Sequence, residues 1–356
     1  MPLFSIIIPT YNREHLVRRT LESVFAQSFT DFEVIVVDDG STDATLDVVA
    51  TFGDRVKILK QANQGPGLAR NLGARHATGQ YLAFLDSDDL WFPWTLRFFA
   101  QTIKQHNFPA LISGNPLPFV SESDLAAVTE SPAHVDQYAD YFASPYRQVC
   151  PSACAMLVTS QAFNTVNGFA KEWVNGEDSE LFIRLGEQPN FICVRAPWTV
   201  GYRTTPGSLI GNLDRTFAGR EFMIRMERAR FYPGGWSRRL ARIDLITSHC
   251  RSASVDLLTA HKIRKALYIY IWTFPWNFRL RKFPYLFVFP IIAVLSKMGF
   301  HGLGRMAIRA KARPDPIPTA ATVARIAQLP VQPPAQPPAQ PSTAATNPPA
   351  IPSTAT

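Results

Sequence analysis

Tyr81-Leu82-Ala83-Phe84-Leu85-Asp86-Ser87-Asp88-Asp89-Leu90-Trp91 is an apolar run that stops abruptly in three carboxylates. Such a run reads as a short buried strand, and its C-terminal end delivers the acids to the sheet edge where α/β proteins hold their ligands. Carboxylates crowded this closely repel one another unless a cation sits among them, and hard divalent ions such as Mg²⁺ or Mn²⁺ prefer oxygen ligands of this kind. The alternative is that Asp86 to Asp89 form a turn and cap a helix that resumes near Pro93. Both readings end a strand here.

The flanking sequence repeats the pattern. Residues 4–8 are β-branched and apolar and run into Pro9, residues 32–37 form a second such strand that ends in Asp38-Asp39-Gly40, and residues 56–59 form a third. Between them, Leu16, Val17, Leu21, Val24 and Phe25 recur close to helical spacing, and Ser41, Thr42 or Asp43 can cap a helix that runs to about residue 52. Residues 68–77, carrying Arg70, Asn71 and Arg75, read as a further helix. Alternation of this kind predicts an α/β fold, with a mostly parallel sheet flanked by helices on both faces. The loops after the strands then share one edge, so Thr10 to Asn12, Asp38 to Ser41 and Asp86 to Asp89 are expected to line a common crevice. A dinucleotide-binding turn would need glycines after the first strand, and Pro9-Thr10-Tyr11-Asn12 has none. No phosphate loop ending in Gly-Lys-Ser/Thr occurs either, so a nucleotide here would be gripped another way.

Four motifs in order, Ile6-Ile7-Ile8-Pro9-Thr10-Tyr11-Asn12, Val37-Asp38-Asp39-Gly40-Ser41-Thr42-Asp43, Asn63-Gln64-Gly65 through Ala69-Arg70-Asn71-Leu72-Gly73, and Leu85-Asp86-Ser87-Asp88-Asp89, resemble the successive signatures of the family 2 glycosyltransferases with the GT-A (Rossmann-like) fold. The resemblance implies an inverting transferase that uses a nucleotide-activated sugar, most often a UDP-sugar, together with a divalent metal. Carried over residue by residue, it puts Pro9, Thr10, Tyr11 and Asn12 at the donor, with Thr10 and Tyr11 lining the base pocket and Asp39 accepting from the uracil ring. It puts Arg70, Asp86 and Ser87 near the nucleotide. Asp86 and Asp88 become the acidic pair of an Asp-x-Asp motif, Asp88 touching the metal. Physically, a metal bridging the phosphates stabilises the charge that builds on the leaving diphosphate, and a carboxylate on the far side of the sugar takes the proton of the attacking hydroxyl.

A base for that step occurs further on. Glu177-Asp178, after Trp173-Val174-Asn175-Gly176, stands at a predicted helix start, where acids also suit the helix dipole. The family's base follows a Gly-Phe segment, here Gly168-Phe169, which makes Asp178 the expected base and Glu177 its supporting acid. Trp173 can stack near the acceptor or belong to the core. In Tyr202-Arg203-Thr204-Thr205-Pro206-Gly207-Ser208, Thr205 stands where many members carry histidine, and Arg203 is expected to substitute in part through its charge.

The net charge of +8 implies affinity for something anionic, such as nucleotide phosphates or an acidic lipid surface. Acids at three strand ends argue against nucleic acid. The cysteines (Cys150, Cys154, Cys193, Cys250) are too scattered for a disulfide framework or a zinc site and read as reduced thiols of a cytoplasmic protein. The expected organisation is a catalytic domain over 1–215, a basic and apolar helical region over 216–312, and a disordered Pro/Ala/Thr-rich tail over 313–356. The apolar stretches near 266–274 and 283–300 are short for spanning a bilayer and interrupted by prolines. They are expected either to lie in the interface of an anionic membrane, making the enzyme peripheral at the inner face, or to cap the catalytic domain.

The resulting expectation is transfer of a single sugar to a glycan or lipid-linked acceptor. A processive polysaccharide synthase is the nearest alternative, but the Gln-x-x-Arg-Trp motif of those relatives is missing. A non-catalytic nucleotide-sugar binding module is the other, and it would be expected to have lost Asp86, Asp88, Glu177 and Asp178.

Overall fold

Strand β1 (Phe4–Thr10) is buried at every residue, including Pro9, as befits a strand with neighbours on both sides and helices on both faces. The computed structural model describes residues 1–145, 152–172, 175–204 and 212–297; Cys150, Trp173 and Thr205 lie outside them. After β1 come α1 (Val17–Phe25), β2 (Phe32–Asp38), α2 (Thr45–Ala50), β3 (Lys57–Lys60), α3 (Pro66–Arg75), β4 (Tyr81–Phe84), β5 (Leu90–Trp91) and α4 (Thr95–Gln105). The next elements are β6 (Leu111–Ser113), β7 (Pro116–Phe119), β8 (His134–Tyr138), β9 (Met156–Thr159), α5 (Ser160–Thr165), α6 (Glu177–Arg184), β10 (Phe191–Ala196) and β11 (Val200–Arg203). Four longer helices follow: α7 (Leu213–Arg228), α8 (Arg239–Thr259), α9 (Ile263–Arg279) and α10 (Phe283–Lys297).

The main sheet has the order β3-β2-β1-β4-β9-β6-β10-β8. Its first half is parallel, as the alternation of strands and helices predicts. The second half departs from that pattern. β9 runs antiparallel to both β4 and β6, and β8 runs antiparallel to β10, so β9 and β8 are reversed against the other six strands. A small second sheet, β5-β11-β7, forms beside the carboxylate loop.

Successive residues of a strand face opposite sides, and β1 sorts accordingly. Ile6 and Ile8 join the apolar cluster under α1 and α4, while Ile7 joins the cluster on the other face with Ile35, Val37 and Phe84. This second cluster continues without a break through Leu181 and Phe182 of α6 into Met223, Ile243, Leu257, Ile269 and Phe289 of α7 to α10. One apolar core therefore crosses position 215 and unites the sheet with the C-terminal helices. On the same face α3 lies so close to the sheet that a Cβ on Gly73 would come within 2.5 Å of Ile7 Cγ2. A glycine lets helix and strand approach this far.

Candidate active site

β1 has β2 on one side and β4 on the other, so the chain changes direction across the sheet between β1 and β4. Crevices at such reversals, outside the C-terminal strand ends, are where open α/β sheets bind ligands. The loops after β1, β2 and β4 meet there.

The first two loops are laced together. Asn12, with φ at 50°, accepts the Thr42 N–H on its side-chain oxygen at 2.9 Å, and its own N–H donates to Ser41 Oγ at 3.0 Å. The Arg13 N–H donates to Thr45 Oγ1 at 2.7 Å. Asp39 is buried, and its carboxylate accepts from the Gln61 amide at 2.7 Å and the Gln64 and Gly65 N–H groups at 2.9 and 2.8 Å. It thereby fixes the turn that opens α3. Thr10 is buried with its hydroxyl lacking a hydrogen-bond partner among the described residues, whereas Tyr11 is exposed. An orphaned hydroxyl beside an exposed aromatic ring is a surface suited to a flat polar ligand.

From Gly65 and Pro66 at its start, α3 carries Arg70 and Asn71 to the middle of the site. The Arg70 guanidinium donates from Nη2 to Asp86 Oδ1 at 2.6 Å and from Nη1 to Glu177 Oε1 at 3.4 Å, and stacks over Phe169 at 5.2 Å. Burial opposes its charge, but Asp86 and then Asp178 and Glu177 outweigh burial and hold the guanidinium ionised. Asn71 clamps the neighbouring segment, accepting from the Phe169 N–H at 2.8 Å and donating to the Phe169 carbonyl at 2.9 Å.

On the far side, Gly176 adopts φ of +90° and starts α6, whose first turn bears Glu177 and Asp178. Asp178 accepts from the Ala153 N–H at 3.0 Å. Burial, and then the charge of Glu177, push its carboxyl up to about 7 against the pull of Arg70.

The carboxylate loop after β4 divides its acids by depth. Asp86 is partly open and engages Arg70, and Asp88 lies 3.5 Å from Arg13 Nη2. Burial and the neighbouring Asp86 raise the carboxyl of Asp88. Ser87 and Asp89 are buried. Asp89 accepts the Arg203 N–H at 2.8 Å, and the Arg203 side chain donates to the Asp88 carbonyl at 2.8 Å and rests on Phe119. Arg203 thus braces the loop through its backbone. Asp86, Asp89 and Cys154 bring ligand atoms within 4.8 Å of one another, a cluster that sequence spacing did not disclose because Cys154 comes from the turn before β9. Asn71 and Asp89 were also missed as supporting residues. The Arg70-Asn71 pair within its motif was the available signal for the first.

Residues 5–158 match the model of Glycosyl transferase family 2. An uncharacterized glycosyltransferase of Rickettsia felis is 30% identical over 191 residues, covering 52% of this chain and 30% of that protein. The chain thus spans less than a third of the length of that relative. The Escherichia coli enzyme WfgD, a UDP-Glc:α-D-GlcNAc-diphosphoundecaprenol β-1,3-glucosyltransferase, is 27% identical over 213 residues, covering 59% of this chain and 80% of that one. In fold, the chain is similar to S. aureus TarS 1-349 in complex with UDP-GlcNAc, with a TM-score of 0.58 at 18% identity over 83% of this chain and 92% of that one. The order of the motifs and the parallel half of the sheet agree with that match to the model of Glycosyl transferase family 2 over residues 5–158.

Proposed function

We propose that the protein is an inverting glycosyltransferase that moves a single sugar from a nucleotide-diphosphate sugar, a UDP-sugar, to a hydroxyl of a lipid-linked or polysaccharide acceptor. The observation that carries this reading is Arg70, whose one guanidinium touches Asp86 of the donor loop and Glu177 beside Asp178. A donor loop and a base tied to one cation lie within reach of a single substrate. The names of two similar proteins support the substrates: one transfers from UDP-Glc to a diphosphoundecaprenol-linked sugar, and one is complexed with UDP-GlcNAc.

In this mechanism the uridine lies against Thr10 and Tyr11, with the Pro9–Asn12 loop held in shape by Ser41 and Thr42. Asp39 serves the base pocket chiefly by fixing the 61–65 turn, its oxygens still able to accept from the uracil ring. Asp178 is the general base. A carboxyl raised to about 7 by burial is far more basic than an ordinary carboxylate and can take the acceptor's proton as the hydroxyl attacks the sugar carbon opposite the diphosphate. Glu177 pairs with Arg70 at 3.4 Å, and its charge raises the carboxyl of Asp178 against the pull of that guanidinium.

Asp86 and Asp88 would hold Mg²⁺ or Mn²⁺, which when bound neutralises charge on the leaving diphosphate. The residues fit such an ion: they are hard oxygens, and burial together with the neighbouring Asp86 charge raises Asp88, a charge load that a divalent cation relieves. Asp89, buried and accepting the Arg203 N–H, fixes the loop that bears them.

The test is transfer from a panel of nucleotide sugars to a lipid-linked acceptor, comparing wild type with Asp178→Asn. Sugar turnover unchanged by that substitution removes the base assignment.

A further inference from the structure

Helices α9 and α10 each divide into a buried and an open side. In α9, Ala266, Ile269, Thr273, Trp276 and Asn277 face the core, while Leu267, Ile271, Phe274 and Phe278 are 36%, 63%, 41% and 58% exposed. In α10, Tyr285, Leu286, Phe289, Ile292 and Ala293 are buried, while Phe283, Phe287, Ile291 and Val294 are 40%, 71%, 59% and 59% exposed. Both open sets recur every three or four residues, the spacing of a single helical stripe. Phe278 and Phe283 pack edge to face at 5.8 Å across the connecting turn and join the two stripes into one surface. Soluble proteins rarely leave so many large apolar side chains contiguous in water.

Charge says what covers this surface. Arg264 stands at the start of α9, Arg279 ends it and Arg281 lies in the turn before α10, while Lys262 and Lys265 pair with Asp214 and Lys282 lies 3.9 Å from Asp244. No acid occurs between residues 257 and 297. Trp272 adds an aromatic ring capped by the Arg228 guanidinium at 4.3 Å. Cations of one sign around an apolar face would repel a second copy of the same face, and they complement anionic headgroups. Among the described residues no helix is long and apolar enough to cross a membrane. At roughly 1.5 Å per residue, α9 and α10 fall short of a hydrocarbon core of about 30 Å.

We propose that the outer face of α9 and α10 lies in the interface of an anionic lipid bilayer and thereby presents the Glu177-Asp178 loop to an acceptor carried in that bilayer. The second half rests on the glycosyltransferase reading; the first does not. The connection to the site is short. Asp214, near the start of α7, accepts from Lys262 at 2.6 Å and Lys265 at 2.7 Å. One turn away, the Asn212 carbonyl and Thr216 hydroxyl hold the Asn175 amide at 3.3 and 3.2 Å, two residues before Glu177. The cationic end of α9 is thus anchored beside the segment that bears the base.

The experiment is flotation of the full chain with vesicles of phosphatidylcholine alone or mixed with phosphatidylglycerol, at low and high salt. We expect binding to the mixed vesicles, weakened by salt. The triple variant Phe278→Ser, Phe287→Ser, Ile291→Ser should lower it at least tenfold while UDP binding by calorimetry and the melting temperature stay unchanged. Arg279→Ser with Arg281→Ser should remove the preference for phosphatidylglycerol. Absence of vesicle binding overturns the proposal, as does a wild-type dimer in light scattering that the triple variant converts to monomer. Vesicle binding retained by a protein that transfers no sugar leaves this surface intact and sinks only the enzymatic reading.

Discussion

Asp86 and Glu177 share one guanidinium: Arg70 reaches the first at 2.6 Å and the second at 3.4 Å. The fork geometry of arginine allows both contacts at once, which the single ammonium of lysine cannot reproduce. Arg70→Ala, removing one partner of a buried ion network whose arginine side chain is 4% exposed, is expected to cost about 3–5 kcal/mol in urea unfolding. Arg70→Lys should recover much of that stability and little of the transfer rate. Equal recovery of both would mean that Arg70 acts through charge alone.

Asp178→Asn tests the base through pH. Asp178 faces Glu177, Asp86, Arg70, Tyr202 and the Ala153 N–H, and its carboxyl is pushed up to about 7. Above that pH it is ionised and competent, so kcat/KM of the wild type should rise through pH 7. The amide variant should lose about 10²- to 10⁴-fold and the pH step with it. Stability has the opposite sign. A raised carboxyl favours the folded state at low pH, with its contribution complete below the ordinary value of about 4 and lost as pH rises through about 7. The variant should therefore gain stability on wild type across that window, measured by denaturant titration at pH 4 and pH 8.

Asn71 is expected to act by positioning Phe169. Its side chain makes both hydrogen bonds to the Phe169 backbone, and Phe169 in turn supports Arg70. Asn71→Ala should cost about 1–3 kcal/mol and lower kcat more than it raises the KM for the nucleotide sugar. Asn71→Asp, which keeps the acceptor and loses the donor, should fall between.

Arg220 is a half-buried arginine whose buried Nε and Nη1 have no hydrogen-bond partner among the described residues, and it is set against Gly176 and lowered in basicity by burial. Unsatisfied donors in a closed site destabilise, and the attraction of Glu177 offsets only part of this. Arg220→Met should stabilise the free protein by about 1 kcal/mol in urea. A loss of stability instead would identify the guanidinium as an anchor of the loop before α6.

The parallel half of the sheet was legible because β1, β2 and β4 are buried on both faces, and only continuous apolar runs closed by polar loops satisfy that environment. The apolar pattern of β9 marked it as a strand too, but an apolar pattern carries no direction, and its reversal depends on pairing with β4 and β6. Asp86, Asp88, Glu177 and Asp178 stood out as candidates because they close a strand and open a helix within an ordered run of motifs, although capping and the helix dipole also favour acids there. What joins them was not. The bridge through Arg70 links positions 107 residues apart and the Asn71 clamp positions 98 apart, distances over which local periodicity is silent. The two sides of α9 and α10 were equally hidden, since Tyr285 and Phe289 inside and Phe283 and Phe287 outside are alike in composition.

The apolar cluster that runs from Ile7 to Phe289 makes any excision at the end of the family-matched segment a poor experiment. A chain cut there would keep the motifs up to Asp89, lose Glu177 and Asp178, and inherit a bare greasy wall, so its loss of turnover would not separate missing chemistry from aggregation. For the same reason a chimera that borrows its last four helices from a relative should work only when the layer beneath them, Leu181, Phe182 and their neighbours, travels along.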